Sequence, residues 1–295
     1  MAHPLTQREV RNLLAEAGLR PRRRLGQHFL VDPNLLGILV READLGPRDV
    51  VLEVGAGLGN LTDLLVEAAG RVVAVEVDKD LAGLAAARLA GAANLDLVVA
   101  DILADKHHLS AEVRETILRR LAEAGGRLKL VANLPYAVAT PLVADLVLGE
   151  PRPDLLVFTV QEEVARRMAA APATAAYGPV SVMVQAVAEV EVRRRLGPTV
   201  FWPRPGVGSA LVRVRPSAAR RGRMADLEAL RRTVDGLFRH RRKRAPRSLA
   251  LADPAGRSPQ DWAARLAAIG LDPEARGETY TVDQIVRLAN SRLEA

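Results

Sequence analysis

The chain has 295 residues, of which 49% are hydrophobic, and a formal net charge of +7. This length and composition predict a globular protein with a sizeable core, built as one large domain or as a large and a small one. The absence of cysteine excludes disulfides, thiolate catalysis and cysteine-ligated metal centres. No run of about 20 apolar residues predicts a membrane span, and the chain starts without the apolar core of a signal peptide, so a cytosolic location is expected.

The positive charge is clustered, and clustering favours an anionic partner such as nucleic acid. The arginine-rich clusters lie at residues 20–24, 193–195 and 239–247. Any one of them is as readily a solvated surface, but three in a net-basic chain favour nucleic acid. The histidines do not have the spacing of a metal site, so no metal is expected. They are His3, His28, His107, His108 and His240.

The first 24 residues are predicted to form an amphipathic helix carrying Val10, Leu13 and Leu14, followed by a basic arm. Asp32 and Pro33 then open a helix that is predicted through residue 40, because Asp is a favoured cap and Pro suits the first helical position.

From residue 50 the pattern alternates between strand and helix, which predicts a parallel, doubly wound sheet with right-handed crossovers. Strands are predicted at residues 50–54, 72–77, 95–100, 128–132 and 155–160. Helices are predicted at residues 59–69, 80–90, 110–124, 141–148 and 162–170. The start of the helix at 141 rests on Thr140 and Pro141, a capping hydroxyl followed by a first-turn proline.

Beyond Pro172 the alternation weakens, and residues 179–187 fit a helix or a strand equally well. Residues 190–196 and 210–214 are predicted strands joined by a proline-rich loop, residues 201–205, which indicates an antiparallel edge. A polar, arginine-rich linker at 216–223 precedes three helical stretches, 224–238, 259–269 and 282–293. The expected fold is α/β with a small all-α C-terminal domain, divided at 1–24, 25–215 and 216–295.

Asn133, Pro135 and Tyr136 follow the predicted strand 128–132, where open α/β sheets bind ligands. The Asn133 side-chain oxygen and the Pro135 carbonyl are two acceptors that suit the two hydrogens of one amine. Tyr136 offers a face on which a planar base can stack. These residues suit an amino-purine methyl acceptor, and a strand-end turn with a packed tyrosine is the alternative.

A glycine-rich turn at residues 53–60 joins the first strand of the alternating region to its helix. Gly55 and Gly57 let the backbone turn tightly and approach a ligand closely. Glu76 ends the second strand about 20 positions later, where an acidic residue hydrogen-bonds ribose hydroxyls. Such a turn is shared by nicotinamide, flavin and S-adenosylmethionine (AdoMet) proteins, so it predicts an adenosine-containing ligand without naming it.

The third strand of this region ends at Asp101 and Ile102, which are placed to accept from an adenine amine and to pack on its ring. Carboxylates therefore lie at the ends of three successive strands, at Glu53, Glu76 and Asp101. A pyrophosphate would be repelled there, whereas a cationic sulfonium would be attracted. The three acids favour AdoMet as the ligand.

Together these motifs resemble the KsgA family of small-subunit rRNA adenine dimethyltransferases, in a superfamily shared with Erm methyltransferases and mitochondrial transcription factor B. The similarity extends from about residue 25 to the C-terminus. The motifs that carry it are residues 26–30 (GQHFL), 53–57 (EVGAG), 133–136 (NLPY), 161–165 (QEEVA), 201–209 (FWPRPGVGS) and 238–243 (FRHRRK). The long segment 161–209 and the helical tail resemble KsgA more than Erm.

The resemblance implies a Rossmann-like class I AdoMet methyltransferase. It implies that two adjacent adenosines near the 3′ end of 16S rRNA, in the immature small subunit, each receive two methyl groups on the exocyclic amine. A monomer is expected. Tyr136 and Phe201 match the aromatic positions on either side of the flipped adenine. The implied AdoMet-binding positions are His28, Leu30, Gly55, Glu76, Asp101 and Asn133.

Three positions depart from the family pattern. His28 lies where Asn is frequent, Ala137 replaces an Asn after the tyrosine, and Gly206 replaces a Lys in the proline-rich loop. None of these changes falls on Asn133 or Pro135.

Three alternatives remain open from the sequence. The chain could act mainly as a ribosome-assembly factor with methylation secondary, or as an Erm-type enzyme on large-subunit rRNA. A nicotinamide oxidoreductase would use the same glycine turn but would leave residues 133–136 unexplained.

Overall fold

A computed structural model describes residues 3–105 and 108–291 of the chain. His107 and the predicted end of the last helix at Leu293 lie outside these described residues. The chain divides into two compact units, Met1–Ala165 with Glu191–Arg215, and Arg166–Val190 with Pro216–Ala295.

Two domain assignments differ from those expected. The boundary predicted after residue 215 coincides with the return of the chain to the second unit, but residues 166–190 also belong to that unit. The first 24 residues are part of the first unit and do not form a separate domain.

The strands are β1 Phe29–Leu30, β2 Val50–Val54, β3 Arg71–Glu76, β4 Leu95–Val99, β5 Leu103–Asp105, β6 His108–Leu109, β7 Leu128–Asn133, β8 Leu155–Gln161, β9 Ala188–Leu196, β10 Phe201–Trp202 and β11 Ser209–Pro216. The helices are α1 Gln7–Glu16, α2 Pro33–Ala43, α3 Asn60–Ala68, α4 Lys79–Arg88, α5 Ala111–Ala124, α6 Tyr136–Leu148, α7 Glu162–Met168, α8 Pro179–Gln185, α9 Ala218–Arg221, α10 Leu227–Phe238, α11 Ala245–Leu251, α12 Pro259–Ala268 and α13 Val282–Ser291.

Seven strands form the main sheet in the order β4-β3-β2-β7-β8-β11-β9. The five strands from β4 to β8 in this order are parallel to their neighbours. β11 runs antiparallel to β8, which confirms the predicted mostly parallel sheet with an antiparallel edge. The chain order reverses between β2 and β7, and open α/β sheets bind their ligands at such a switch point.

The strands beside the switch point are buried on both faces, as in a parallel sheet covered by helices. Their sequences, VVLEV in β2 and LKLVAN in β7, are continuous apolar runs interrupted by one charged residue each. The predicted bounds of the parallel strands lie within about one residue of those observed.

Helix α6 begins five residues earlier than predicted, at Tyr136 instead of Pro141. Pro135 precedes it with φ −58°, the backbone angle that proline imposes and that a helix start requires. Pro141 then lies inside the helix, where it removes one N–H donor. Pro141 was therefore correctly predicted to be helical, but it lies in the second turn of the helix and not in the first.

Three further helices were unassigned or ambiguous from the sequence, and the shortest of them, α9, lies inside the predicted linker 216–223. Residues 179–187, which fitted either element, form helix α8, with Gly178 before it and a proline in its first turn. Helix α11 was not predicted because it follows the basic run at 239–244 without a polar cap side chain.

The predicted amphipathic helix near the N-terminus is present as α1 and packs against other elements of the first unit. A capping box between Thr6 and Glu9 starts it. Val10 and Leu14 are buried against Leu58 and Leu81. The predicted amphipathic pattern was therefore a packing face.

In the second unit, α10 is amphipathic and lies in contact with α8, α11 and α13. Trp262 of α12 is fully buried, and its Nε1 donates to Asp253 Oδ2 at 3.1 Å. The Tyr177 hydroxyl donates to the Tyr280 carbonyl at 3.0 Å. In the part of the chain that the structure describes, no helix is both long and apolar enough to cross a membrane.

A buried ion pair fixes the amino-terminal edge of the sheet. Lys129 Nζ lies 2.8 Å from Asp49 Oδ2, with both side chains nearly inaccessible to solvent, and it also donates to the carbonyls of Ala43 and Asp44. Burial is the largest influence on Asp49 and acts to raise its pKa, but the hydrogen bonds from Lys129 and the Gly46 N–H and the nearby positive charges together outweigh it, so the net pKa is lowered. Arg127 also contacts Asp49, at 3.3 Å, from an exposed position.

We expect Lys129→Met to destabilise the protein by about 3–5 kcal/mol, because it leaves a buried carboxylate without its main partner. The matched change Arg127→Ala should cost less than about 1 kcal/mol, because that arginine is solvated. Urea unfolding of both variants measures the difference. Equal losses would contradict the assignment of Lys129 as the dominant partner of Asp49.

Candidate active site

A cleft of about 280 Å³ opens at the carboxyl ends of β2, β3, β4 and β7, entirely within the first unit. It is lined by all the predicted cofactor-binding positions and by three of the four predicted catalytic positions. These are His28, Leu30, Gly55, Gly57, Glu76, Asp101, Ile102, Asn133, Pro135 and Tyr136. The fourth catalytic position, Phe201, does not line the cleft.

The glycine turn after β2 is pressed against the acceptor motif after β7. Gly55 has φ +79°, and a Cβ there would lie 3.0 Å from Pro135 Cγ. Gly57 has φ +59°, and its Cβ would lie 3.2 Å from the Phe29 ring. Both positions need glycine, because any side chain would be strained and would fill the cleft.

Glu76 is held by two backbone donors at the end of β3. The Gly57 N–H donates to one carboxylate oxygen at 2.8 Å, and the Asp78 N–H donates to the other at 2.9 Å. Burial raises the pKa of Glu76, and these N–H groups oppose the rise. Each oxygen keeps a lone pair, so the carboxylate can accept from two ribose hydroxyls as predicted.

Glu53 has a different environment from the other acids. Its side chain is 1% exposed, and burial raises its pKa to about 8, with nearby Glu76 adding to the rise. The Thr62 hydroxyl and, more weakly, Arg88 oppose this rise in pKa. The hydroxyl does so without meeting the geometry of a hydrogen bond among the described residues. Glu53 is therefore mainly a neutral acid at pH 7, and the cleft is less negative than three ionised carboxylates would make it.

The turn that follows β4 contributes one exposed and one buried residue to the cleft. Asp101 is exposed and accepts from the Leu103 N–H through Oδ1 at 3.1 Å. Ile102 is 4% exposed and presents an apolar wall to the cleft.

The Asn133 amide is held at both ends. Its Nδ2 donates to the His28 carbonyl at 2.9 Å, and its Oδ1 accepts from the Thr159 hydroxyl at 2.5 Å. The Pro135 carbonyl accepts from the Val138 N–H at 3.2 Å. Each of the two oxygens has a second lone pair for an amine hydrogen.

Thr159 was not predicted, although it is the only hydroxyl in the apolar run of residues 155–160. A lone polar residue in a buried strand was the available signal. What the sequence did not show was its partner on the neighbouring strand.

Tyr136 is anchored through its hydroxyl, which lies 3.1 Å from Ser209 Oγ. Burial raises the pKa of Tyr136, so the phenol stays protonated. Its ring centre lies 5.8 Å from that of His28. His28 Nδ1 lies 2.7 Å from the Pro203 carbonyl and must be the donor, because the carbonyl can only accept.

The prediction that Phe201 lies opposite Tyr136 is not met in this structure. β10 pairs antiparallel with β1, with Phe201 opposite Leu30, and the Phe201 ring is 2% exposed in the core cluster of the first unit. Successive strand residues face opposite sides. Trp202 accordingly faces the other way and stacks on Phe29 at 6.3 Å.

A family model for ribosomal RNA adenine dimethylase matches residues 18–290. The chain belongs to this family. It is 40% identical to "Ribosomal RNA small subunit methyltransferase A" of Pelotomaculum thermopropionicum, over 97% of this chain and 96% of that one. It is also 40% identical to the protein of the same name from Streptomyces coelicolor, with the same coverage. This rRNA adenine dimethylase is an enzyme that takes its methyl groups from AdoMet.

Solved structures agree with the fold of this family. A dimethyladenosine transferase from Plasmodium falciparum superposes with a TM-score of 0.72 at 20% identity, covering 90% of this chain and 98% of the other. The 23S rRNA methyltransferase ErmE superposes with a TM-score of 0.61 at 25% identity, covering 90% and 100%. The class I methyltransferase architecture predicted for the dimethylase is therefore confirmed.

The residues present fit AdoMet. The two glycines leave the space that a Cβ would fill, and Glu76 offers two hydroxyl acceptors beside them. Asp101 and Ile102 line the same cleft and offer a polar and an apolar side chain to an adenine ring. When bound, AdoMet supplies a methyl group activated by a sulfonium centre. Over residues 3–105 and 108–291, no group of three or more His, Cys, Asp or Glu side chains is arranged to hold a metal.

We expect Glu53→Gln to make the dimethylase more stable than the wild type at pH 8, and to lose that advantage below about pH 4.5. The folded pKa of about 8 exceeds the ordinary value of 4.5, so the wild type loses stability as pH rises between these values. Urea unfolding across pH 4–9 measures this difference. The same pH slope in both proteins would show that Glu53 does not titrate in this range.

Proposed function

We propose that the enzyme transfers two methyl groups to the N6 amine of each of two adjacent adenosines near the 3′ end of 16S rRNA, in the immature small ribosomal subunit. The observation that carries the chemistry is the fixed Asn133 amide, whose Oδ1 lies in the same cleft as the Pro135 carbonyl. The choice of RNA is supported by relatives named small-subunit methyltransferase A at 40% identity. We place the protein in the cytoplasm as a monomer.

The adenine amine is a poor nucleophile because its lone pair is delocalised into the ring. In the first transfer to each adenosine, hydrogen bonds from the two N–H groups of the amine to Asn133 Oδ1 and the Pro135 carbonyl pull the nitrogen toward tetrahedral geometry. In the second transfer the one remaining N–H bonds one of these two acceptors. The lone pair is then aimed at the donor methyl group for in-line displacement. Positioning and fixed dipoles supply the acceleration. The methylated amine loses its proton to solvent, so no dedicated base is required.

Tyr136 is the stacking face for the everted base. The hydrogen bond between its hydroxyl and Ser209 fixes the ring at the start of α6. Stacking on one aromatic side chain contributes about 1–3 kcal/mol per base. That gain offsets the few kcal/mol needed to unstack the adenine. The second stacking face that was expected from Phe201 is absent from the described cleft, where His28 is the aromatic neighbour of Tyr136.

The basic clusters divide into paired and unpaired side chains. Arg193, Arg195 and Arg241 each form an ion pair with a glutamate, at 3.2, 3.1 and 2.7 Å. Six exposed cations of these clusters have no carboxylate partner among the described residues, and these are the stronger candidates for rRNA phosphates. They are Arg20, Arg24, Arg194, Arg242, Lys243 and Arg247.

The proposal is tested by incubating the protein with radiolabelled AdoMet and ribosomal subunits that lack the modification. We expect label in the small subunit, recovered as N6,N6-dimethyladenosine near the 3′ end of its rRNA. Label in the large subunit would instead indicate an Erm-type enzyme. Association with small subunits without labelling would favour an assembly factor.

We expect Asn133→Ala to lower kcat by about 100-fold or more while AdoMet binding weakens far less, because the lost acceptor acts on the amine. Glu76→Ala should do the reverse and weaken AdoMet binding, since it removes the ribose acceptor. Single-turnover rates and calorimetric titration with AdoMet separate the two effects. Equal loss of both quantities in Asn133→Ala would contradict its role in orienting the amine.

We expect rRNA binding to weaken steeply with salt, because log affinity falls with the number of neutralised phosphates. Lys243→Ala should lower the slope of log K against log salt by about 1. The control Arg241→Ala removes a cation already paired with Glu278 and should change the slope less. Filter-binding titrations at several salt concentrations measure the slopes, and a flat response in the wild type would remove phosphate contacts from the proposal.

A further inference from the structure

Thr159 lies in the middle of the sheet, directly beside the acceptor motif. It is paired with Asn133 in the parallel register of β7 and β8, and with Leu211 in the antiparallel register of β8 and β11. Its side chain is 1% exposed, and the flanking residues of β8 are apolar. A buried hydroxyl in such a run needs a partner, and its partner is Asn133 Oδ1 at 2.5 Å.

The two bonds on the Asn133 amide admit one orientation only. The His28 carbonyl can only accept, so the nitrogen end must face it. If the amide were flipped, Oδ1 would face that carbonyl and two lone pairs would oppose each other. The Thr159 hydroxyl can donate, which completes the unflipped arrangement.

We infer that Thr159 is a positioning residue for methyl transfer, acting only through Asn133. The Thr159 hydroxyl occupies one lone pair of Asn133 Oδ1. The other lone pair then points toward the adenine amine, which the proposed function pairs with Asn133. The hydroxyl does not line the cleft, so it does not touch the substrate. Its contribution is to keep the amide from rotating when the base enters.

The backbone around Thr159 supports the same role. The Thr159 carbonyl accepts from the Leu134 N–H at 3.1 Å, which ties the chain just after Asn133 to β8. β8 therefore fixes the main chain next to Asn133 through its carbonyl and the side chain of Asn133 through its hydroxyl. The first contact is available to any residue at position 159, whereas the second requires a hydroxyl.

The test is Thr159→Val, which keeps the shape and the β-branched side chain but removes the donor. We expect kcat to fall about 10-fold to 100-fold, since small misplacements of a positioned group have effects of that size. AdoMet affinity by calorimetry and the thermal midpoint should change little. Thr159→Ser restores the hydroxyl and should recover most of the wild-type kcat.

Two further variants show whether the residue acts through Asn133. Adding Thr159→Val to Asn133→Ala should cause no further loss, because the group that Thr159 orients is already gone. Thr233→Val is a matched control, since Thr233 is a fully buried threonine of the second unit whose hydroxyl has no hydrogen-bond partner among the residues that the structure describes. It should keep wild-type kcat.

The outcomes separate this inference from the function on which it rests. Wild-type kcat in Thr159→Val, or additive losses in the double variant, would overturn the inference. So would failure of Thr159→Ser to recover kcat while the protein remains folded. If Asn133→Ala itself kept normal turnover, the proposed function would fail instead.

Discussion

The contact between Gly55 and Pro135 is the constraint on which the active site depends. Neighbouring parallel strands lie about 4.8 Å apart, so the turns that follow β2 and β7 must meet at one edge of the sheet. A Cβ at Gly55 would lie 3.0 Å from Pro135 Cγ, and φ +79° at this position already excludes most side chains. The glycine turn and the acceptor motif are therefore held at a fixed separation by the backbone of the sheet.

The charges of the protein explain why a base, and not its phosphate, would enter the cleft. Glu76 and Asp101 line the cleft, whereas the unpaired cations of the basic clusters are exposed, and one of them, Arg24, also lies at the cleft. A phosphate in the cleft would be repelled by these acids, but a neutral adenine would not. Under the proposed function, phosphate binding by the exposed cations and base binding in the cleft would together need the nucleotide to be everted.

The sequence was sufficient where a local pattern decides the structure and insufficient where contacts between distant segments decide it. The apolar runs located the strands within about one residue, because a fully buried parallel strand leaves few alternatives. The glycine turn and Glu76 were found because their spacing is local. Thr159 was missed because its partner lies 26 positions away on the adjacent strand. Phe201 was misplaced because the pairing of β10 with β1, and not the loop sequence, determines which side each aromatic ring faces.

The departure at position 28 illustrates why a change near the reacting groups can leave them undisturbed. The contact that holds Asn133 comes from the His28 main-chain carbonyl, which any residue at this position would supply. The imidazole adds a separate bond, from Nδ1 to the Pro203 carbonyl at 2.7 Å, which ties residues 26–30 to the proline-rich loop next to the β1–β10 pair. Histidine thus replaces the frequent asparagine without altering the orientation of the acceptor amide. Its ring also adds an aromatic surface beside Tyr136 at the point where Phe201 is turned into the core.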